Sequence, residues 1–159
     1  MAPKKGGKAP PRVQYFNAIR DQKLDTLRWC LRHGGVTTRT EDEDGHTGLQ
    51  IAAAAGLSEA LDTILDSILK VGTKDEVEEA DDEGRTPLMM AAHNGKLACV
   101  KLLVVKGRAP LGTKCEKGKT AAEYAAARKH DKVAAFLRDP KGHAESSDES
   151  EEEGEAERQ

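Results

Sequence analysis

The 159-residue sequence predicts an all-α chain built as a stack of short helix-turn-helix units, and three observations lead there. Aromatic residues make up 3% of the chain, so a core must be assembled from Ala, Leu, Val and Ile, which suits thin helices packed closely together. The segments TGLQIAAAAG (47–56), TPLMMAAHNG (86–95) and TAAEYAAARK (120–129) share one frame, and such self-similarity marks a repeat architecture. Each copy has a Gly two residues before its Thr (Gly45, Gly84, Gly118) and is followed by an apolar stretch: LDTILDSIL, VKLLVV or VAAFL.

Each element of the frame has a physical reason. The Gly takes the positive φ of a tight turn, the Thr hydroxyl caps the coming helix, and Pro87 fits a first helical position. The pairs Ala52-Ala53, Ala91-Ala92 and Ala125-Ala126 let first helices lie against their neighbours. Gly56 and Gly95 are placed to end those helices in the left-handed conformation. In the second helices Leu61, Ile64 and Leu65, then Val100, Leu103 and Val104, recur at the i, i+3, i+4 spacing of a buried stripe.

The two ends differ from the middle. Residues 1–11 hold Lys4, Lys5 and Lys8 among Gly, Pro and Ala, and read as a disordered basic arm. Residues 139–159 read as a disordered acidic tail, with eight acidic residues from Glu145 onward against Arg158. The formal net charge of -3 therefore conceals a polarity from basic start to acidic finish. Between them, residues 12–138 form the repeat domain, in units 12–40, 41–79, 80–112 and 113–138. No apolar core follows the N-terminal lysines as a secretory signal requires, and no apolar run approaches the roughly 20 residues of a membrane span. Cys30, Cys99 and Cys115 form an odd set without CxxC spacing, which argues against a disulfide framework or a zinc site and for a reducing compartment.

Residues 82–107, DEGRTPLMMAAHNGKLACVKLLVVKG, resemble an ankyrin repeat almost position for position. DGHTGLQIAAAAG resembles a second unit, GKTAAEYAAARKHDKVAAFL a closing unit, and FNAIRDQKLDTLRWCLRHGG (16–35) a first repeat without its turn, with Leu27, Trp29, Cys30 and Leu31 in its second helix. The resemblance covers roughly residues 12–138 and implies an ankyrin-repeat solenoid. Departures carry expectations of their own. Where the family has the His of its TPLH motif this chain has Gln50, Met89 and Glu123, so the side-chain tie to Thr is expected only with Gln50. Gly48 replaces Pro, and Lys129 replaces the helix-ending Gly at a cost on the order of 1 kcal/mol. The step from Thr47 to Thr86 is 39 residues and that from Thr86 to Thr120 is 34, against a family period of about 33. The excess assigns one extra helical turn at residues 67–71 and a lengthened loop at 73–84.

GTKCEKGKT (112–120) nearly spells a phosphate-binding loop, but five residues rather than four separate Gly112 from Gly118 and no strand precedes it. Five scattered histidines, with no HExxH and no GxSxG, supply neither a catalytic nor a metal constellation. No catalytic, cofactor-binding or metal residue is therefore assigned, and the chain reads as no enzyme. The turn tips carry more signal. Glu41, Asp42, Glu43 and Asp44 precede Gly45; Asp75, Glu76, Glu78, Glu79, Asp81, Asp82 and Glu83 precede Gly84; the next finger inverts the sign with Lys106, Arg108, Lys114, Lys117 and Lys119. Clustered charge of this kind steers an oppositely charged partner.

The resemblance implies that a protein partner meets the turn tips and the exposed face of the first helices. On this sequence those are Glu43, Asp44, His46, Ala54 and Ala55; Asp82, Glu83, Arg85, His93 and Asn94; and Lys117, Lys119, Ala127 and Arg128. The implied function is a non-catalytic protein-interaction module, an adaptor, scaffold or chaperone, for a basic client such as a ribosomal protein, histone or basic peptide. The alternatives are a structural subunit of a cytoskeletal or ciliary assembly and an inhibitory subunit of an enzyme. No direct nucleic acid or membrane contact is expected, and the chain should be monomeric before it meets its partner, in the cytoplasm, nucleus or cilium. Ser146, Ser147 and Ser150 lie in a dense acidic run that resembles sites for an acidophilic kinase.

Overall fold

The structure is a computed structural model that describes residues 9–71 and 74–141. Most of the basic arm and nearly all of the acidic tail, with Ser146, Ser147 and Ser150, lie outside the described residues. Within them the chain forms eight α-helices: α1 (Pro11–Arg20), α2 (Leu24–His33), α3 (Gly48–Ala55), α4 (Ser58–Val71), α5 (Pro87–His93), α6 (Leu97–Lys101), α7 (Ala121–Ala127) and α8 (Asp131–Arg138). A 3-10 helix (Lys74–Glu78) follows α4, and α6 continues into a π-helical turn (Leu102–Lys106). Pairing among the described residues is limited to an isolated bridge between Glu41 and Thr47.

The helices stack as four hairpins. The first helices α1, α3, α5 and α7 pack in sequence as one layer, and α2, α4, α6 and α8 form the other. Between the layers lies one core, with Leu27, Leu61, Ile64, Leu65, Val100 and Leu103 fully buried and Val133, Phe136 and Leu137 closing it. The expected stripe thus holds, except that Val104 is half-buried. Ala52, Ala53, Ala91 and Ala92 are each 0% exposed, sandwiched between successive first helices. In the last unit Ala125 is buried while Ala126 is exposed, because no further helix covers that end of the stack.

Local chemistry sets the helix starts. The Thr47, Thr86 and Thr120 hydroxyls accept the N–H of Gln50, Met89 and Glu123, each at 3.3 Å. Gln50 returns the bond to the Thr47 N–H at 3.0 Å, as expected. Glu123 does the same for Thr120 at 2.9 Å, which corrects the expectation that Gln50 alone would make the tie: a carboxylate reaches back as well as an amide. Gly48 also gains a reason. A Cβ there would stand 2.5 Å from the Tyr15 hydroxyl and 2.7 Å from Ile19 Cδ1, so the usual proline is excluded by the close approach of α1. Gly56 and Gly95 end α3 and α5 at φ 77° and 70°, and Lys129 adopts φ 61° at the matching place after α7.

The expected extra turn is present, since α4 runs 14 residues. The remainder of the insertion is not a free loop. Val77 is 2% exposed, Thr38 Oγ1 donates to both oxygens of Glu76 at 2.8 and 3.0 Å, and Gln50 Nε2 donates to Glu79 O at 2.7 Å. Arg39 clamps the stretch from the preceding loop, reaching Asp75, Glu76 and Glu79 at 3.0, 3.2 and 2.7 Å.

Candidate partner-binding face

The three turn tips are fastened by one backbone pattern. Asp42 N–H donates to His46 O, the Gly45 N–H returns to Asp42 O, and Asp42 Oδ1 accepts the N–H groups of Asp44 and His46 at 2.9 and 3.0 Å. Asp81 repeats this around Gly84, taking the N–H groups of Glu83 and Arg85 at 2.9 Å each. In the third turn Cys115 stands at the same position: its N–H donates to Lys119 O, its carbonyl accepts the Gly118 N–H, and its Sγ accepts the Lys117 N–H at 3.3 Å. The three tip glycines have φ of 83°, 77° and 76°, as the turn demands.

Ionisation follows these contacts. Burial opposes the charge on Asp81, but the Arg85 side chain and the backbone N–H groups of Arg85 and Glu83 outweigh it and hold the carboxyl below the usual carboxylate range. The hydrogen bond with the Tyr124 hydroxyl, 3.1 Å away, dominates at Cys115 and holds its thiol below the ordinary value. The same bond, with burial, pushes Tyr124 up to about 12.

Between α3 and α5 lies a groove of about 510 Å³. Ile51, Met89 and Met90 supply its apolar floor, Ala54 and Ala55 its shallow wall, and Gln50, His46 and Arg85 the end beside the turns, with His93 and Asn94 opposite. Six of the sequence-predicted partner residues, His46, Ala54, Ala55, Arg85, His93 and Asn94, therefore line one depression. The methionines and Ile51 were not among the sequence-predicted partner residues; Met90 is 8% exposed and helps line the floor. Glu43 and Asp44 line a second, smaller hollow of about 220 Å³ with Arg12, Val13, Phe16 and Arg20, on the α1 side of the Gly45 turn. Asp82 and Glu83 are exposed on the Gly84 turn, and Lys117, Lys119, Ala127 and Arg128 are exposed on the last unit, outside both hollows.

Several of these side chains already have work within the chain. Arg85 pairs with Asp81 at 2.7 Å and Glu83 at 3.2 Å. Asn94 Nδ2 donates to Ala54 O at 2.8 Å, tying α5 to α3. Arg128 Nη1 donates to His93 Nε2 at 3.1 Å. A guanidinium only donates, so Nε2 is the acceptor and the proton sits on Nδ1, which faces Asn94 Oδ1 at 3.2 Å. His93 also packs edge-on against Tyr124 at 5.6 Å. The wall of the groove is thus set by contacts running from α3 through α5 to α7.

The charge distribution differs from the sequence expectation in two places. Lys106 and Arg108 do not belong to the basic finger. Lys106 closes the π-turn and pairs with Asp62 and Asp66 of α4 at 2.5 and 2.7 Å, while Arg108 lies in the loop behind it at φ 56°. Asp75, Glu76 and Glu79 are claimed by Arg39, so the exposed acid on the turns that precede α3 and α5 comes from Glu43, Asp44, Asp82 and Glu83. Asp42, Asp44 and His46 each bring one ligand atom to within 4.8 Å of the others, yet one oxygen of Asp42 is spent on the turn and the group carries no metal assignment.

A chain in the crystal structure of the yeast ribosomal protein Rps3 in complex with its chaperone Yar1 matches this fold with a TM-score of 0.70, at 25% identity over 89% of this chain and 95% of that one. The family model for ankyrin repeats, three copies, matches residues 63–148, more than half of the sequence. With four stacked hairpins, shared turn chemistry and that match, the chain belongs to the ankyrin-repeat family, whose units are protein-interaction modules.

Proposed function

We propose that this chain is a non-catalytic binding protein of chaperone or adaptor type that holds a basic segment of a client protein in the groove between α3 and α5. The carrying observation is the juxtaposition of an apolar floor (Ile51, Met89, Met90) with exposed carboxylates at the adjoining turns (Glu43, Asp44, Asp82, Glu83). Apolar contact supplies affinity once polar groups are satisfied, and the carboxylates steer a cationic partner and fix its register. The complex of Rps3 with its chaperone supports a ribosomal protein as the client class. Three free cysteines support a reducing compartment, cytoplasm or nucleus.

The test uses purified Rps3 as the probe. Glu43→Gln, Asp44→Asn, Asp82→Asn and Glu83→Gln together should weaken binding at least about tenfold at low salt and flatten its salt dependence. Asp42 and Asp81 are left in place because they fasten the turns. Ala54→Trp fills the groove and should abolish binding without changing the charge. Unchanged affinity in both variants would sink this reading.

A further inference from the structure

The last unit ends in a cationic surface that the rest of the described chain leaves unanswered. Lys114, Lys117 and Lys119 on the Gly118 turn, and Arg128 and Lys129 at the far end of α7, are all exposed. Whereas Asp75, Glu76 and Glu79 pair with Arg39 and Asp81 and Glu83 with Arg85, none of these five cations is ion-paired with a carboxylate among the described residues. Two carboxylates share the stretch 114–129, and one of them, Glu123, is engaged by the Thr120 N–H.

The course of the chain supplies the counter-charge. α8 returns along α7 after a three-residue turn, so its C-terminal end at Arg138 lies beside the start of α7, where Lys117 and Lys119 stand. Beyond Asp139, which closes α8, the acidic residues resume at Glu145, and eight carboxylates run from there to Glu157. Seven residues span at most about 25 Å, and α7 itself is only about 10 Å long. Every one of the five cations is within reach of that acidic segment. Tethering at this range sets an effective concentration on the order of millimolar, so even a weak attraction keeps the surface occupied.

We propose that residues 145–157 dock on the cationic surface of the last unit, Lys114, Lys117, Lys119, Arg128 and Lys129, as an intramolecular polyanion that competes there with other acidic ligands. The proposal is independent of the client reading, which concerns the opposite charge and a different groove. Phosphorylation of Ser146, Ser147 or Ser150 would add about -1.5 to -2 charges each and tighten the docking.

The experiment uses the full chain carrying E145Q, D148N, E149Q, E151Q, E152Q and E153Q beside the unaltered protein. At low salt (about 0.02 M) amide chemical shifts at Lys117, Gly118, Lys119, Arg128 and Lys129 should differ between the two proteins, and the difference should collapse at about 0.5 M salt. Poly-L-glutamate, added as a competing polyanion, should bind the substituted protein at least about tenfold more tightly than the unaltered one. Identical shifts at these residues, differences centred on the Gly45 turn instead, or equal poly-L-glutamate affinities would overturn the proposal. Shifts that grow with protein concentration would also overturn it, since the segment would then be sitting on a second copy. A full chain with K117E and K119E should lose the salt-sensitive shift changes even with its tail intact.

Discussion

The acidic stretch 75–83 and the basic stretch 114–119 occupy successive connections of the same stack, yet they use their charge in opposite ways. In the first, Asp75, Glu76 and Glu79 gather on Arg39, and Asp81 and Glu83 on Arg85. In the second, no carboxylate of the described chain pairs with Lys114, Lys117 or Lys119, although Lys119 lies 5.9 Å from the Tyr124 ring. Charge counted along a sequence is therefore a poor guide to charge presented to a partner. The acid-rich connection is largely internal architecture, while the smaller cationic one finds no counter-charge among the described residues.

That contrast can be broken or sharpened by substitution. Both connections hang on one core, so Leu103→Ala, at a site 0% exposed, should have the largest effect, lowering stability by roughly 2–5 kcal/mol in urea denaturation. An unaltered midpoint would mean the two stretches do not share a cooperative unit. Val77→Ala tests whether the acidic insertion is truly anchored; the loss should be about 1–3 kcal/mol, whereas a freely hanging loop would show none. Lys129→Gly should move the other way, raising stability by about 0.5–1 kcal/mol through relief of the left-handed backbone, net of the entropy glycine gains when unfolded. It would show that a charge can leave the basic end at no cost to the fold.

The smallest effect concerns pH. Because the folded-state pKa of Asp81 is lowered, its contribution is fully present above the ordinary carboxylate value and is lost as pH falls through the folded value. Asp81→Asn should therefore be slightly less stable than the unaltered protein at neutral pH and equal to it under strong acid, giving a shallower acid limb. Parallel limbs in thermal melts across that range would remove Asp81 from the account of the turn.

What could be read from the sequence was local. The glycines of the turns, the threonine caps, the alanine contacts and the i, i+3, i+4 stripe all act within one unit and repeat with it. The Arg39 clamp could not be read, because its partners lie 36 and 40 residues away, across an insertion that breaks the repeat. Nor could the reason for Gly48, which is a tyrosine from a preceding hairpin that lacks the family's turn. Of the candidate site, the six groove residues followed from frame positions, whereas Met89 and Met90 share the composition of core and reveal their accessible edges only once α3 and α5 are set side by side.

Cys115 bears on how such a surface can be rewritten. Asp42, Asp81 and Cys115 occupy one mould, and the two backbone-to-backbone bonds around the tip are the same whether the side-chain acceptor is a carboxylate taking two N–H groups or a sulfur taking that of Lys117. Shape and sign are therefore separable properties of each connection. A protonated thiol in the mould adds no negative charge to the lysines around it, and an aspartate there would subtract from them while leaving the bend intact. Successive turns can differ in polarity by single replacements, with the helices beneath them untouched, so a row of identical folds can serve as a line of independently written characters.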